Sequence, residues 1–248
     1  MNKIVCGDSV VECQKLPEAS IDIVITSPPY NVDLGANKFN KNPYDLYVDN
    51  RQHKDYIAWL EHLFCDILYS KLKDDGRLCI NVGDGLNGAV PTHSDIISFM
   101  SHRYLPFSTI IWEKGNTSNR AAWGSWLSPS APSFPRNFEF ILLFGKTRKL
   151  SDKGVTDLTK EEFIRFANGT WNIRPEAKMK AIGHPAMFPK EIPYRLIKML
   201  TWVGDTICDP FAGAFTTCLV AQELGRKFIG IELSPEYCEI GKKRLGVK

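Results

Sequence analysis

Ser27-Pro28-Pro29-Tyr30 is the first stretch whose residue types suggest chemistry. Neither proline has an N–H, so a strand running into them must stop there. Pro28 also holds Ser27 extended. The outcome is a stiff turn that offers a serine hydroxyl, free backbone carbonyls and one aromatic ring. Acceptors beside a ring suit an exocyclic amine on a nucleobase. The lone pair of such an amine is delocalised into its ring, which makes it a poor nucleophile. Acceptors that take its two N–H bonds favour a more pyramidal, more nucleophilic nitrogen, and the ring can stack on the base. A proline-rich turn packed by a tyrosine uses the same residues, so a distant second signal must decide.

That signal lies near the other end. Thr206-Ile207-Cys208-Asp209-Pro210-Phe211-Ala212-Gly213-Ala214-Phe215-Thr216-Thr217 reads as strand, tight turn and helix. Small residues at such a turn let a ligand approach the backbone, and the helix start adds free N–H groups. The next strand, Lys227-Phe228-Ile229-Gly230-Ile231, ends in Glu232, about twenty residues after the turn. An acid there can accept both hydroxyls of a ribose. Many dinucleotide-binding folds share this logic.

The elements that must position these turns follow from periodicity. Strands are expected at Lys3 to Cys6, Ile21 to Ile25, Arg77 to Val82, Leu105 to Trp112 and Asn137 to Phe144. Helices are expected at Ser9 to Leu16, Lys54 to Leu72 with Asp74-Asp75-Gly76 as its stop, His93 to His102, around Glu161 to Ala167, and Glu191 to Leu200. Asp8, just past the first strand, is placed for a cofactor hydroxyl or amine, or simply for a turn. Asn31 to Asn50 is polar and without period, as befits a functional loop that orders over a substrate.

Composition bounds the class. The 248 residues, 44% apolar and 24% charged, suit one soluble α/β domain over 1–248. No run of eighteen apolar residues occurs, and the start lacks the long apolar core of a signal peptide. Seven cysteines with no C-x-x-C pair argue against zinc and a disulfide framework, so no metal is expected and a cytoplasmic protein is. From Arg103 to Lys180 there are 13 Lys and Arg against 7 Asp and Glu, a balance of +6, while the remainder sums to −3. A basic middle suits a polyanion. Lys114, Arg120, Trp123 and Arg136 interleave charge with aromatics, as nucleic-acid surfaces do, and Arg174 follows in the same basic stretch.

Together these motifs resemble the S-adenosylmethionine-dependent DNA amino-methyltransferases of restriction–modification type, in the order called the beta class. Ser27-Pro28-Pro29-Tyr30 resembles their catalytic signature. Asp209-Pro210-Phe211-Ala212-Gly213, with Thr216 beyond it, resembles their cofactor motif, and Ile229-Gly230-Ile231-Glu232 their ribose motif. His184-Pro185 through Phe188-Pro189 resembles the segment shaping the methionine end, and Gly7-Asp8 the one whose acid meets the adenine. Asn81-Val82-Gly83-Asp84 and Asn137-Phe138-Glu139 resemble further blocks. The resemblance runs from about Lys3 to Leu245. It implies a Rossmann-like α/β fold with a seven-stranded methyltransferase sheet, circularly permuted, and a target-recognition region within residues 113–182. The strands before Asp8 and Ser27 would be the family's third and fourth, and those before Asp209 and Glu232 its first and second. It further implies duplex DNA as partner, with the target base flipped out, and admits a separately encoded endonuclease and a monomer or homodimer, in a bacterial or archaeal cell. Serine at the first motif position is associated in the family with cytosine N4, and aspartate with adenine N6. The chain departs at Ala214, usually serine, and at Phe215, usually a second glycine. A positive φ at Phe215 would be costly, so the turn is expected to be right-handed there, or the cofactor site altered.

Overall fold

A run such as Ile21-Asp22-Ile23-Val24-Ile25-Thr26 can bury side chains on both faces only if both faces are covered. The computed structural model places it in the interior of a sheet. The structure describes residues 2–31, 51–85, 88–115, 124–134, 136–150, 154–176 and 189–247. Along the chain these form β1 (Lys3–Cys6), α1 (Ser9–Gln14), β2 (Ile21–Thr26), α2 (His53–Glu61), a π-helical segment (His62–Ile67), α3 (Leu68–Lys71), β3 (Leu72–Val82), α4 (Thr92–Met100), β4 (Leu105–Glu113) and β5 (Phe138–Gly145). The second half adds α5 (Lys160–Phe166), β6 (Thr170–Asn172), α6 (Glu191–Leu200), β7 (Thr206–Asp209), α7 (Thr216–Glu223), β8 (Lys227–Glu232) and α8 (Pro235–Leu245).

The strand order is β1-β8-β7-β2-β3-β5-β4-β6. The late strands β7 and β8 therefore sit between the early strands β1 and β2, which is the permuted arrangement expected. From β1 to β3 every neighbour is parallel. β5 is antiparallel to β3 and β4, and β6 is parallel to β4. This geometry brings the ends of β1, β8, β7, β2, β3, β4 and β6 to one edge, where β5 begins. Ligands of open α/β sheets bind along such an edge. The sheet has eight strands rather than seven, because Thr170–Asn172 adds itself outside β4.

Alternate residues of the strands feed two apolar layers. Val24, Leu78, Ile80 and Val82 pack with residues of α2, the π-helical segment and α4. Ile23, Ile25, Cys79, Ile141 and Leu143 pack with α6 and α7. Six of the seven cysteines are buried and unpaired. No described helix is long and apolar enough to cross a membrane.

The expected single helix over 54–72 is three pieces. It widens to a π-helix from His62, where the Phe64 carbonyl accepts the Tyr104 hydroxyl at 2.7 Å. Asp74-Asp75-Gly76, expected to stop that helix, lies inside β3 instead. Ile21 pairs with Leu72 but Ile23 with Arg77, so these residues form a bulge. Asp22 anchors it through Lys73 at 2.6 Å. The loop expected over 31–50 lies outside the described residues except at its start. There Asn31 and Arg51 exchange two hydrogen bonds, at 2.7 and 2.9 Å, which join the two ends of the segment.

Candidate active site

The proline turn and the glycine turn leave the sheet from adjacent strands. The Thr26 hydroxyl donates to Asp209 Oδ1 at 2.7 Å, across 183 positions of sequence. Both side chains are buried, at 1% and 2% exposure. The Phe211 N–H donates to the same oxygen at 3.1 Å. Burial nevertheless pushes the Asp209 carboxyl up to about 6, these donors offsetting only part of it. Ser9 at the head of α1 donates to the Pro210 carbonyl at 2.5 Å. Helix α2 braces both turns. Its Tyr56 hydroxyl donates to the Pro29 carbonyl at 2.9 Å, and its Trp59 ring lies 5.4 Å from that of Phe211.

Around Ser27 the hydrogen bonds have a fixed direction. Glu139, at the start of β5, is ion-paired to Lys114 and can only accept. The Tyr30 hydroxyl therefore donates to Glu139 Oε2, at 2.7 Å. Asn81 Nδ2, which can only donate, reaches both Tyr30 Oη and Glu139 Oε2 at 2.8 Å. Ser27 Oγ donates to Tyr30 Oη at 3.3 Å. Burial first, and the facing Glu139 second, push the Tyr30 phenol well above its ordinary value, so it stays a donor. The consequence is that Ser27 has spent its one proton. Apart from a long 3.5 Å approach by Asn81 Nδ2, its lone pairs are left to accept from something else. Asn81 Oδ1, also buried, has no donor among the described residues.

The glycine turn is built for close approach. Ala212 N–H donates to the Ile231 carbonyl at 2.9 Å, which pins the turn to β8. Glu232 accepts the N–H groups of Gly213 and Ser234, one on each oxygen, both at 2.8 Å. A lone pair on each oxygen remains for two further donors, as a ribose would supply. Burial raises the Glu232 carboxyl above its ordinary value. Gly213 has φ 50° and Phe215 φ 61°. The expectation of a right-handed turn at Phe215 is thus corrected: the residue is left-handed and fully buried. Its ring fills space that two glycines vacate. A Cβ at Gly230 would lie 2.7 Å from the ring, and one at Gly241 only 2.3 Å. Arg244 of α8 donates to the Ala214 carbonyl and, at 3.3 Å, to Thr216 Oγ1. The unusual phenylalanine therefore reshapes the packing behind the turn and leaves Ala212, Gly213 and Glu232 facing outward as a nucleoside site requires.

With this geometry in hand, comparison with known proteins is decisive. A family model described as DNA methylase, for N6- and N4-acting enzymes, matches residues 21–243. The chain belongs to this DNA methylase family. It is 31% identical to the Type II methyltransferase M.MjaI of Methanocaldococcus jannaschii, over all of this chain and 92% of that one. It is 28% identical to the DNA adenine methyltransferase YhdJ of Escherichia coli K12, over 98% of this chain and 82% of YhdJ. A DNA modification methylase of Thermus thermophilus, TTHA0409, solved in complex with S-adenosyl-L-methionine, has a TM-score of 0.75 at 27% identity, covering 99% of this chain and 93% of that one. S-adenosylmethionine is the family's methyl donor, as the resemblance implied.

The remaining expected site residues of this DNA methylase fall in several places. Asp8 lies at the same sheet edge, where one oxygen caps α1 by accepting from Val10 and Val11 at 2.9 and 3.1 Å. Lys114 stands in the Ser27 cluster rather than on an open face. Arg136 is ion-paired to Asp84, which also accepts from the His93 ring at 2.7 Å. Arg174 is exposed just beyond β6. Arg120, Trp123, His184, Pro185 and Phe188 lie outside the described residues. Tyr56 and Arg244 escaped sequence reasoning, and Asn81 and Glu139 were seen only as parts of family blocks. The available signal for the latter pair was a polar residue inside an otherwise apolar strand.

Two outcomes follow. Phe215→Ala should cost about 3–5 kcal/mol, the usual loss for emptying a buried aromatic site. Phe215→Gly should be milder by about 1 kcal/mol, since it also relieves the left-handed backbone; denaturant unfolding with alanine the milder variant would contradict the strain. Asp209, raised by burial, contributes stability that is full below the ordinary carboxylate value and is lost as pH rises through about 6. Asp209→Asn should therefore flatten the fall in melting temperature between pH 4 and 8. Parallel curves for the two proteins would count against a buried, ionisable Asp209.

Proposed function

We propose that this DNA methylase methylates the N4 amine of cytosine in duplex DNA, with the target base flipped into the pocket between the two turns. The observation that carries this reading is the polarity of the Ser27 cluster. A hydroxyl whose proton is committed to Tyr30 presents only lone pairs, and a nucleobase amine is the donor that such a site suits. Ser27 Oγ and the Pro28 carbonyl accept its two N–H bonds. This localises the nitrogen lone pair and directs it toward the glycine turn. The Pro29 carbonyl is already taken by Tyr56. The Tyr30 ring, held by its hydroxyl, supplies a face for the base to stack on. An amine inside a duplex is not presented for in-line attack, so the base must leave the stack.

S-adenosylmethionine, held by Glu232 at its ribose and by Asp209 to Gly213 along the turn, supplies an electrophilic methyl carbon on a sulfonium sulfur. The chain's own contribution is then orientation, which can be worth several powers of ten in rate. None of the described cysteines is needed as a nucleophile. Adenine N6 is the second reading. The family model spans both amines, and a full-length relative is named an adenine methyltransferase. Ser27 favours cytosine over that alternative. Arg174, together with Arg120 and Trp123, is assigned to DNA contact within residues 113–182.

Nucleoside mass spectrometry and base-resolution sequencing of DNA methylated by the protein should find N4-methylcytosine in a fixed context. N6-methyladenine alone would select the second reading, and methylation of structured RNA in preference to DNA would overturn both. Ser27→Ala should lower kcat by about 10²-fold, within the range of lost positioning and acid–base groups, while DNA affinity changes little. Equal losses in both would remove Ser27 from catalysis. Tyr30→Ala should weaken base capture, read as reduced fluorescence of a flipped base analogue; an unchanged signal would contradict stacking on Tyr30.

A further inference from the structure

Methylation of an amine leaves one proton too many on nitrogen, and this chain holds a route for it. We propose that Glu139 is the terminal acceptor of that proton, reached through Ser27 and Tyr30. The inference rests on the amine-methylation reading above and extends it from positioning to proton transfer.

The route is a continuous chain of three groups. Ser27 Oγ lies 3.3 Å from Tyr30 Oη, and Tyr30 Oη lies 2.7 Å from Glu139 Oε2. Each link already points the way the proton must travel. Tyr30 Oη accepts from Ser27 and Asn81 and donates to Glu139, so its hydrogen-bonding capacity is full. Glu139 is buried, at 7% exposure, and its other oxygen is ion-paired to Lys114. A buried carboxylate would be costly without such partners. Lys114 and Asn81 thus keep an anion at the far end of the chain, away from bulk water.

The atoms balance without a further reactant. As the nitrogen bonds to the methyl carbon, the carbon–sulfur pair leaves with sulfur and the nitrogen becomes cationic. One N–H bond then breaks, and its electron pair returns to nitrogen. Its proton passes to Ser27 Oγ while the serine proton moves to Tyr30 Oη and the tyrosine proton to Glu139 Oε2. Ser27 and Tyr30 end unchanged, the methylamine is neutral, and Glu139 is a neutral carboxylic acid. A cationic amine conjugated to a nucleobase ring is a far stronger acid than a carboxylic acid, so the transfer runs downhill. Glu139 returns its proton to solvent once the product base leaves.

Other described carboxylates at this edge are otherwise engaged. Asp84 is saturated by His93 and Arg136. Asp209 Oδ1 holds Thr26 and the Phe211 N–H behind the cofactor turn. Neither has a hydrogen bond to Ser27 or Tyr30. Glu139 is a catalytic residue in this account only through the relay, so a merely positional role must be separated from it.

Single-turnover methyl transfer by Tyr30→Phe and Glu139→Gln separates them. Tyr30→Phe keeps the stacking ring and removes one oxygen. Glu139→Gln keeps an acceptor for Tyr30 but removes the basic carboxylate. The relay requires each variant to slow transfer by about 10²-fold or more, the scale of lost acid–base catalysis. The double variant should be no slower than either single one, because the residues act in series. S-adenosylmethionine affinity by calorimetry and base-analogue flipping should stay within about twofold of wild type, and added formate should partly restore Glu139→Ala. Tyr30→Phe at the wild-type rate would overturn the relay, as would Glu139→Gln at more than half of that rate. In either case wild-type methylation would leave the function reading standing. A wild-type protein that methylates no nucleobase amine would instead overturn the reading and the relay together.

Discussion

One hydrogen bond, from Thr26 to Asp209, joins two parts of the chain that are otherwise nearly two hundred positions apart. It lies at the end of the β2–β7 pairing, and both partners are buried. A buried hydroxyl–carboxylate contact is worth more than an exposed one, because neither group has water to fall back on. The proline turn starts one residue after Thr26, and the glycine turn one residue after Asp209. Their relative position is therefore set by a short, rigid path rather than by loop conformation. Helix α2 repeats the constraint from above, with Tyr56 on one turn and Trp59 against the other.

From that junction the chemistry follows by directionality. An ion-paired carboxylate, a phenol, an amide N–H and a serine hydroxyl can share one buried cluster in only one consistent sense. Glu139 accepts, Tyr30 passes on, and Ser27 is left facing outward with lone pairs. The family to which the chain belongs acts on nucleobase amines, and an amine donor is what such a serine can receive. The cofactor side shows a different economy. Phe215 adopts a left-handed backbone that would ordinarily cost about 1–2 kcal/mol, and its ring occupies space left by Gly230 and Gly241. Local strain and tertiary packing offset each other while the outward face of the turn is preserved.

Much of this was legible in the sequence because the signals were local. Two prolines after an apolar strand mark a strand end, and an acid twenty residues beyond a small-residue turn marks a nucleoside site. The permuted strand order followed from matching motifs to their strands. What stayed hidden depends on distant partners. Phe215 could be left-handed only because glycines in β8 and α8 make room, which no window around the turn reveals. Asp74-Asp75-Gly76 has the composition of a helix stop, yet pairing with β2 turns it into a bulge. Lys114 and Arg136 looked like phosphate contacts, and the fold gives each a carboxylate partner. The three residues of β6 are too few for periodicity to register.

The most direct test is a structure of the ternary complex, with the demethylated cofactor product and a duplex carrying the methylated context. The account predicts that the flipped base places its amine nitrogen within about 3.2 Å of Ser27 Oγ, with the cofactor sulfur beyond it on the Gly213 side and in line. An amine bound away from Ser27, or a cofactor bound away from Gly213 and Glu232, would contradict it.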